Sequence, residues 1–246
     1  MLKRFATRKR LFVFRVAFFV GLFYNLYKFL SVSIKRRCAM HIPLCETNEL
    51  EILTFDEALE TEKRGTSEYD VKKWIYVPNT YSEYRYILGT RGENPLICIG
   101  INPSTAKPDC LDNTLKSVER TALFNGYDSF IMFNVYAQRA TDPSTMDISF
   151  NEKLHIENMK AFRYVLSSYK EGKTPAVWAA WGTIIEKRPF LFKCVKDMVE
   201  IGEEFGANWY TVGKRSKKGH PHHPLYLANG LKTESFDALD YLKSFL

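Results

Sequence analysis

Four short apolar runs constrain the fold more than any other feature of this chain: residues 96–99, 129–136, 176–181 and 208–212. Each is rich in β-branched or aromatic residues and too short for a helix, so each reads as a strand. The stretches between them carry helical spacing. Asp112-Asn113-Thr114 offers an N-cap to a helix that stops near Asn125-Gly126. Residues 152–169 place Leu154, Phe162, Val165, Leu166 and Tyr169 on one helical face, and a third helix spans about 189–204 before Gly206. Residues 235–246 close the chain as a short amphipathic helix. Strands alternating with helices predict an α/β fold, a three-layer sandwich around a mainly parallel central sheet. Upstream, residues 54–69 form a charged helix or loop. The runs 73–77 and 84–88, linked through Pro78-Asn79-Thr80, predict an antiparallel hairpin at the sheet edge, about residues 73–88. Residues 46–246 therefore form a single domain.

Residues 1–40 differ in composition from this domain. They hold ten of the 35 Lys and Arg residues and no acid, so the net charge of +7 is misleading. The remainder carries 25 basic against 28 acidic residues. A mildly acidic domain gives no bulk electrostatic argument for nucleic acid. The longest uncharged stretch of the leader, 16–27, is 12 residues, against the roughly 20 that a spanning helix needs. Three readings compete for it: a membrane anchor, a basic interfacial helix in contact with a membrane through residues 11–34, or sequence upstream of a true start at Met40. The five cysteines (38, 45, 98, 110 and 194) form no C-x-x-C pair and no metal spacing with histidine. That pattern suits reduced thiols in a cytoplasmic protein, and neither a metal nor another cofactor is expected.

In open α/β sheets ligands bind at the carboxyl ends of strands, so the loops there are where chemistry is expected. Gly100-Ile101-Asn102-Pro103-Ser104-Thr105 follows the first run, and Asn134 ends the second, with Arg139 in the next loop. Gly182 follows the third, and His220-Pro221-His222-His223-Pro224-Leu225-Tyr226 follows the fourth. Lys214, Arg215, Lys217 and Lys218 form the one dense basic patch of the domain, read as a solvated loop or as phosphate ligands.

These residues carry a resemblance. GINPSTA, Asp112-x-Thr114, the run from Asn134 to Pro143, Trp181-Gly182 and HPLY at 223–226 resemble, in order, the family catalogued as domain of unknown function 1643. That family implies no activity. The order of motifs is also similar to the uracil-DNA glycosylase superfamily. That resemblance implies that Asn102 positions an attacking water, that Asn134 reads a base and that His223 donates to the departing base. Two departures stand out: Ser104 replaces a glycine after Pro103, and HPLY replaces the usual H-P-S. The four cysteine ligands of the superfamily's thermostable branch have no counterparts.

The chemistry fits an N-glycosidic bond. Asn102 can orient water, His223 can stabilise charge on a leaving base, and Asn134 offers both donor and acceptor to a base edge. Asp112 reads equally as a helix cap and as a catalytic carboxylate. Gly100, Pro103, Ser104, Thr105, Thr114, Arg139 and Tyr226 complete the expected substrate-binding set. The expected ligand is a nucleobase, a nucleotide or DNA. A non-catalytic nucleotide or nucleic-acid binding module with the same pocket is the rival reading, and a metal-dependent hydrolase built on the histidine loop is a third.

Overall fold

The computed structural model describes residues 40–63, 68–170 and 172–245; the basic leader and its readings lie outside them. Seven strands form one mixed sheet: β1 (Trp74–Val77), β2 (Ile87–Thr90), β3 (Pro95–Gly100), β4 (Ser129–Asn134), β5 (Ala176–Ala179), β6 (Asn208–Val212) and β7 (Thr233–Ser235). Their order is β1-β2-β4-β3-β5-β6-β7. The four central strands are parallel, with β3 paired to both β4 and β5 and β5 paired to β6. Antiparallel strands close both edges: the β1–β2 hairpin against β4, and β7 against β6. The α/β class and the mostly parallel centre thus stand as expected.

Among the described residues five α-helices cover the sheet: α1 (Phe55–Lys63), α2 (Asn113–Phe124), α3 (Glu152–Ser167), α4 (Phe190–Glu204) and α5 (Ala238–Lys243). Alternation along the strands divides the core in two. Ile97, Ile99, Ile131, Phe133 and Val177 pack with residues of α1, α3, α4 and α5. Leu96, Cys98, Phe130, Met132 and Trp178 point the other way, onto Leu115, Val118 and Ala122 of α2. Central strands buried on both faces explain why their sequences read as unbroken apolar runs rather than alternating ones.

Two boundaries differ from expectation. The second hairpin strand is Ile87–Thr90, not residues 84–88, with Trp74 opposite Thr90 and Val77 opposite Ile87. Tyr84 instead makes an isolated bridge to Gln138. The closing helix is shorter than expected because residues 233–235 pair with β6.

A buried network fastens the start of the domain to the loop after β4. The Asp147 carboxylate accepts from Thr47 N (2.9 Å), Tyr136 Oη (2.6 Å) and Gln138 Nε2 (2.7 Å). His41 and Thr141 exchange two bonds, His41 N to Thr141 Oγ1 (2.8 Å) and Thr141 N to His41 O (2.9 Å). Among the described residues no helix is long and apolar enough to cross a membrane.

Candidate functional site

The loop after β3 lies along the segment after β4 through a series of hydrogen bonds. Val135 N and Tyr136 N donate to the carbonyls of Gly100 (2.8 Å) and Ile101 (2.9 Å), and Ala140 N donates to Pro103 O (2.9 Å). The GINPSTA motif and the Asn134–Pro143 motif are therefore two sides of one construction. Arg139 completes it: its guanidinium donates to Ser104 O, to Ala106 O (3.2 Å) and to Tyr76 Oη (2.8 Å), and lies 4.3 Å from the Tyr81 ring.

This loop, the start of α2 and the histidine segment enclose a cavity of about 350 Å³. Of the residues singled out from sequence, Gly100, Asn102, Ser104, Thr105, Asp112, Thr114, His223 and Tyr226 line it together. Thr141 and Pro143 form part of the wall from the β4 side, and Ile184 and Leu225 add apolar surface.

Asn102 is held in one orientation. Its Nδ2 donates to Pro103 O (3.0 Å) and Ala140 O (2.7 Å), so both amide protons are committed. Oδ1 accepts no hydrogen bond among the described residues and is the atom left for a ligand or water. Asp112 caps α2, its Oδ1 accepting from Leu115 N at 2.9 Å. Both readings of Asp112 thus meet in one residue, because the capping carboxylate also lines the cavity.

His223 precedes the short helical turn Pro224–Tyr226, and its Nδ1 accepts from Leu225 N at 3.3 Å. That bond assigns the proton of the neutral ring to Nε2. Burial holds the imidazole below its ordinary value, Asp112 opposes that effect and His222 adds to it. His223 is therefore a neutral donor at neutral pH. Gly182 lies against it with φ at +64°, a backbone conformation that favours glycine.

Other expected residues lie elsewhere. Arg139 is fully buried, does not line the cavity and binds the loop from behind, so it positions the site rather than facing a ligand. Pro103 contributes only its carbonyl to the loop's bonding. Asn134 lies beneath the floor: a Cβ on Gly100 would come within 3.2 Å of its Nδ2. Lys214, Arg215, Lys217 and Lys218 are exposed and line no part of the cavity, and Lys218 pairs with Glu186 at 2.9 Å. His220 is separated from His223, held between Tyr241 Oη (2.8 Å) and Glu186 Oε1 (2.7 Å). Among the described residues no group of histidine, cysteine and acidic side chains could hold a metal.

Arg85 is the residue that sequence reasoning missed. It is 1% exposed, lines the cavity and donates to Ala106 O (3.2 Å) and Asn134 Oδ1 (3.1 Å). Burial, reinforced by the Arg139 guanidinium, pushes its pKa down from 12.5 to about 9. The available signal was a lone charge between two aromatics, Tyr84-Arg85-Tyr86, in a strand-like run.

No curated protein and no solved structure matches the chain. A family model described as "Protein of unknown function (DUF1643)" matches residues 85–225, more than half of the sequence and every residue of the cavity wall except Tyr226. The chain belongs to that family.

Proposed function

We propose that the cavity binds a nucleobase or nucleotide and hydrolyses its N-glycosidic bond. The observation that carries this reading is one pair of groups in one cavity: an Asn102 amide fixed with Oδ1 unengaged, and a neutral His223 with Nε2–H unengaged, both among the described residues. An amide acceptor orients water without binding its proton as a strong base would, and a neutral imidazole donates to a departing base. Water oxygen bonds to the anomeric carbon, and the electron pair of the breaking C–N bond moves onto the base nitrogen. His223 Nε2–H stabilises the charge that gathers on the base, while the Asp112 carboxylate faces the positive sugar centre and accepts the water proton. The base takes up a proton from solvent as it leaves.

The order of motifs, similar to that of the uracil-DNA glycosylase superfamily, supports the reading, as does a cavity at the carboxyl ends of parallel strands. The volume fits one nucleotide unit, and the basic patch lies outside the wall. A mononucleotide or a single extruded base is therefore favoured over extended duplex contacts.

The test is release of free base by the full chain from nucleosides, nucleoside monophosphates, and single- and double-stranded oligonucleotides carrying uracil, mismatched or modified bases. Release is expected to fall by about a hundredfold or more in Asn102→Ala and in His223→Ala. Binding without release from any substrate would replace hydrolysis with a sensor function.

A further inference from the structure

The charges around the cavity do not balance. Arg85 and Arg139 are both at most 1% exposed, both donate to the Ala106 carbonyl, and the Arg139 guanidinium helps to lower the pKa of Arg85. Neither has a carboxylate within ion-pairing distance among the described residues. Their remaining partners are neutral: Asn134, Ser104 O and the Tyr76 hydroxyl. Elsewhere in this fold buried charge is partnered, as in Glu157 with Lys160 at 2.8 Å. Asp112, in the same wall but beyond ion-pairing distance, offsets only part of the Arg85 cost. Two guanidiniums side by side without an ion-paired carboxylate are costly, and a ligand can supply the missing counter-charge.

Unmet donors point the same way. Arg85 Nε, Arg139 Nε and Asn134 Nδ2 are buried without a hydrogen-bond partner. All three atoms are donors, and of the three residues Arg85 lines the cavity, so the ligand group that would satisfy it there is an acceptor. Asp112 is the acid in the cavity wall, and its Oδ1 is already engaged by α2. The wall continues through Asn113 and Thr114, the first turn of a 12-residue helix, where peptide dipoles favour negative charge.

We infer that the floor of the cavity, at Arg85 and the first turn of α2, is a binding site for an oxyanion, a phosphate group. The inference rests on charge and hydrogen bonding and is independent of hydrolysis. An anion would make Arg85 part of an ion pair and convert the crowding of two guanidiniums into a reinforced positive site. The phosphate belongs either to a nucleotide or to the free anion, and affinity separates them.

The experiment is the thermal midpoint of the full chain titrated with inorganic phosphate, uridine 5′-monophosphate and uridine, at ionic strength held constant with chloride. A saturable rise of about 5 °C with phosphate is expected. It should vanish in Arg85→Met. It should also vanish in Thr114→Asp, which keeps the helix start favourable while adding a negative charge to the wall. Thr114→Asp retains Arg85 and its hydrogen bonds, so it reports even if Arg85→Met fails to fold. Uridine 5′-monophosphate binding more than about tenfold tighter than both phosphate and uridine assigns the site to a nucleotide phosphate. Equal affinity for phosphate and the monophosphate assigns it to the free anion. Uridine matching its monophosphate while phosphate does nothing, or a phosphate response that persists in both variants, overturns the inference.

Discussion

Removing the Arg85 charge should make the empty protein more stable. The depression from 12.5 to about 9 corresponds, at about 1.4 kcal/mol per tenfold change in protonation, to a burial cost of about 5 kcal/mol. The folded value still lies above neutrality, so the guanidinium is charged at pH 7 and the cost is present throughout the range below about 9. Arg85→Met removes it, leaving an unbranched side chain of similar reach. Three effects oppose the gain. Asn134 Oδ1 loses its donor, at about 1–3 kcal/mol. Ala106 O loses one of two donors but keeps Arg139 at 3.2 Å, so little is lost there. The smaller volume leaves a partial void of about 1 kcal/mol. The balance is a gain of about 1–3 kcal/mol, read as a higher urea midpoint at unchanged slope in phosphate-free buffer. With saturating phosphate the order should reverse, because only the parent protein gains an ion pair. A loss of more than about 2 kcal/mol in phosphate-free buffer would refute the reasoning, since it would mean that Arg85 is already compensated within the apo fold.

Burial holds both His155 and His223 below the ordinary value of 6.5. Unfolding therefore takes up protons: stability is full above 6.5 and declines as pH falls from there toward the folded values, and equal urea midpoints at about pH 8 and about pH 5 would contradict this. For the same reason the acid limb of kcat/KM for base release is expected below 6.5, shown by the pH–rate profile. Gly89→Ala should cost about 3 kcal/mol or more in denaturant unfolding, because a Cβ there would meet Phe130 O at 2.3 Å and Ile131 Cα at 2.8 Å, backbone atoms that cannot move aside. Asp147→Ala strands Thr47 N, Tyr136 Oη and Gln138 Nε2 together and should cost about 3–5 kcal/mol by the same assay.

How much of this was legible in the sequence depended on the range of the forces involved. The central strands were legible because burial on both faces demands unbroken apolar runs, and residues 208–212 form β6 with the expected bounds. Asp112 was legible as a cap because capping acts over three residues. Strand β7 was not: its residues are Thr233, Glu234 and Ser235, mostly exposed on an edge, where pairing needs no apolar pattern. The shift of β2 to a segment containing Gly89 reflects the tight approach of β4, a tertiary demand. In the site, the loop-borne Asn102 and His223 and Thr114 of the first turn of α2 converged as strand-end geometry predicts. Arg139 did not, because its partners lie 33 to 63 residues away and two of the three are carbonyls, which carry no side-chain signature. Arg85 was likewise hidden, its partners 21 and 49 residues away and its run otherwise reading as packing.

The bonds that complete the cavity rim also bear on the order in which this protein matures. Thr141, in the wall, is held by His41, and the same span joins Thr47 to Asp147 and Glu46 to Ile148. These contacts bridge 100 to 102 positions, whereas α2 and its Asp112 cap form from neighbours. Closing so long a segment is entropically slow compared with helix formation or the pairing of nearby strands. Refolding should therefore restore helical ellipticity and tryptophan burial before it restores ligand capture, leaving an interval in which the chain is compact and its binding pocket still unfinished.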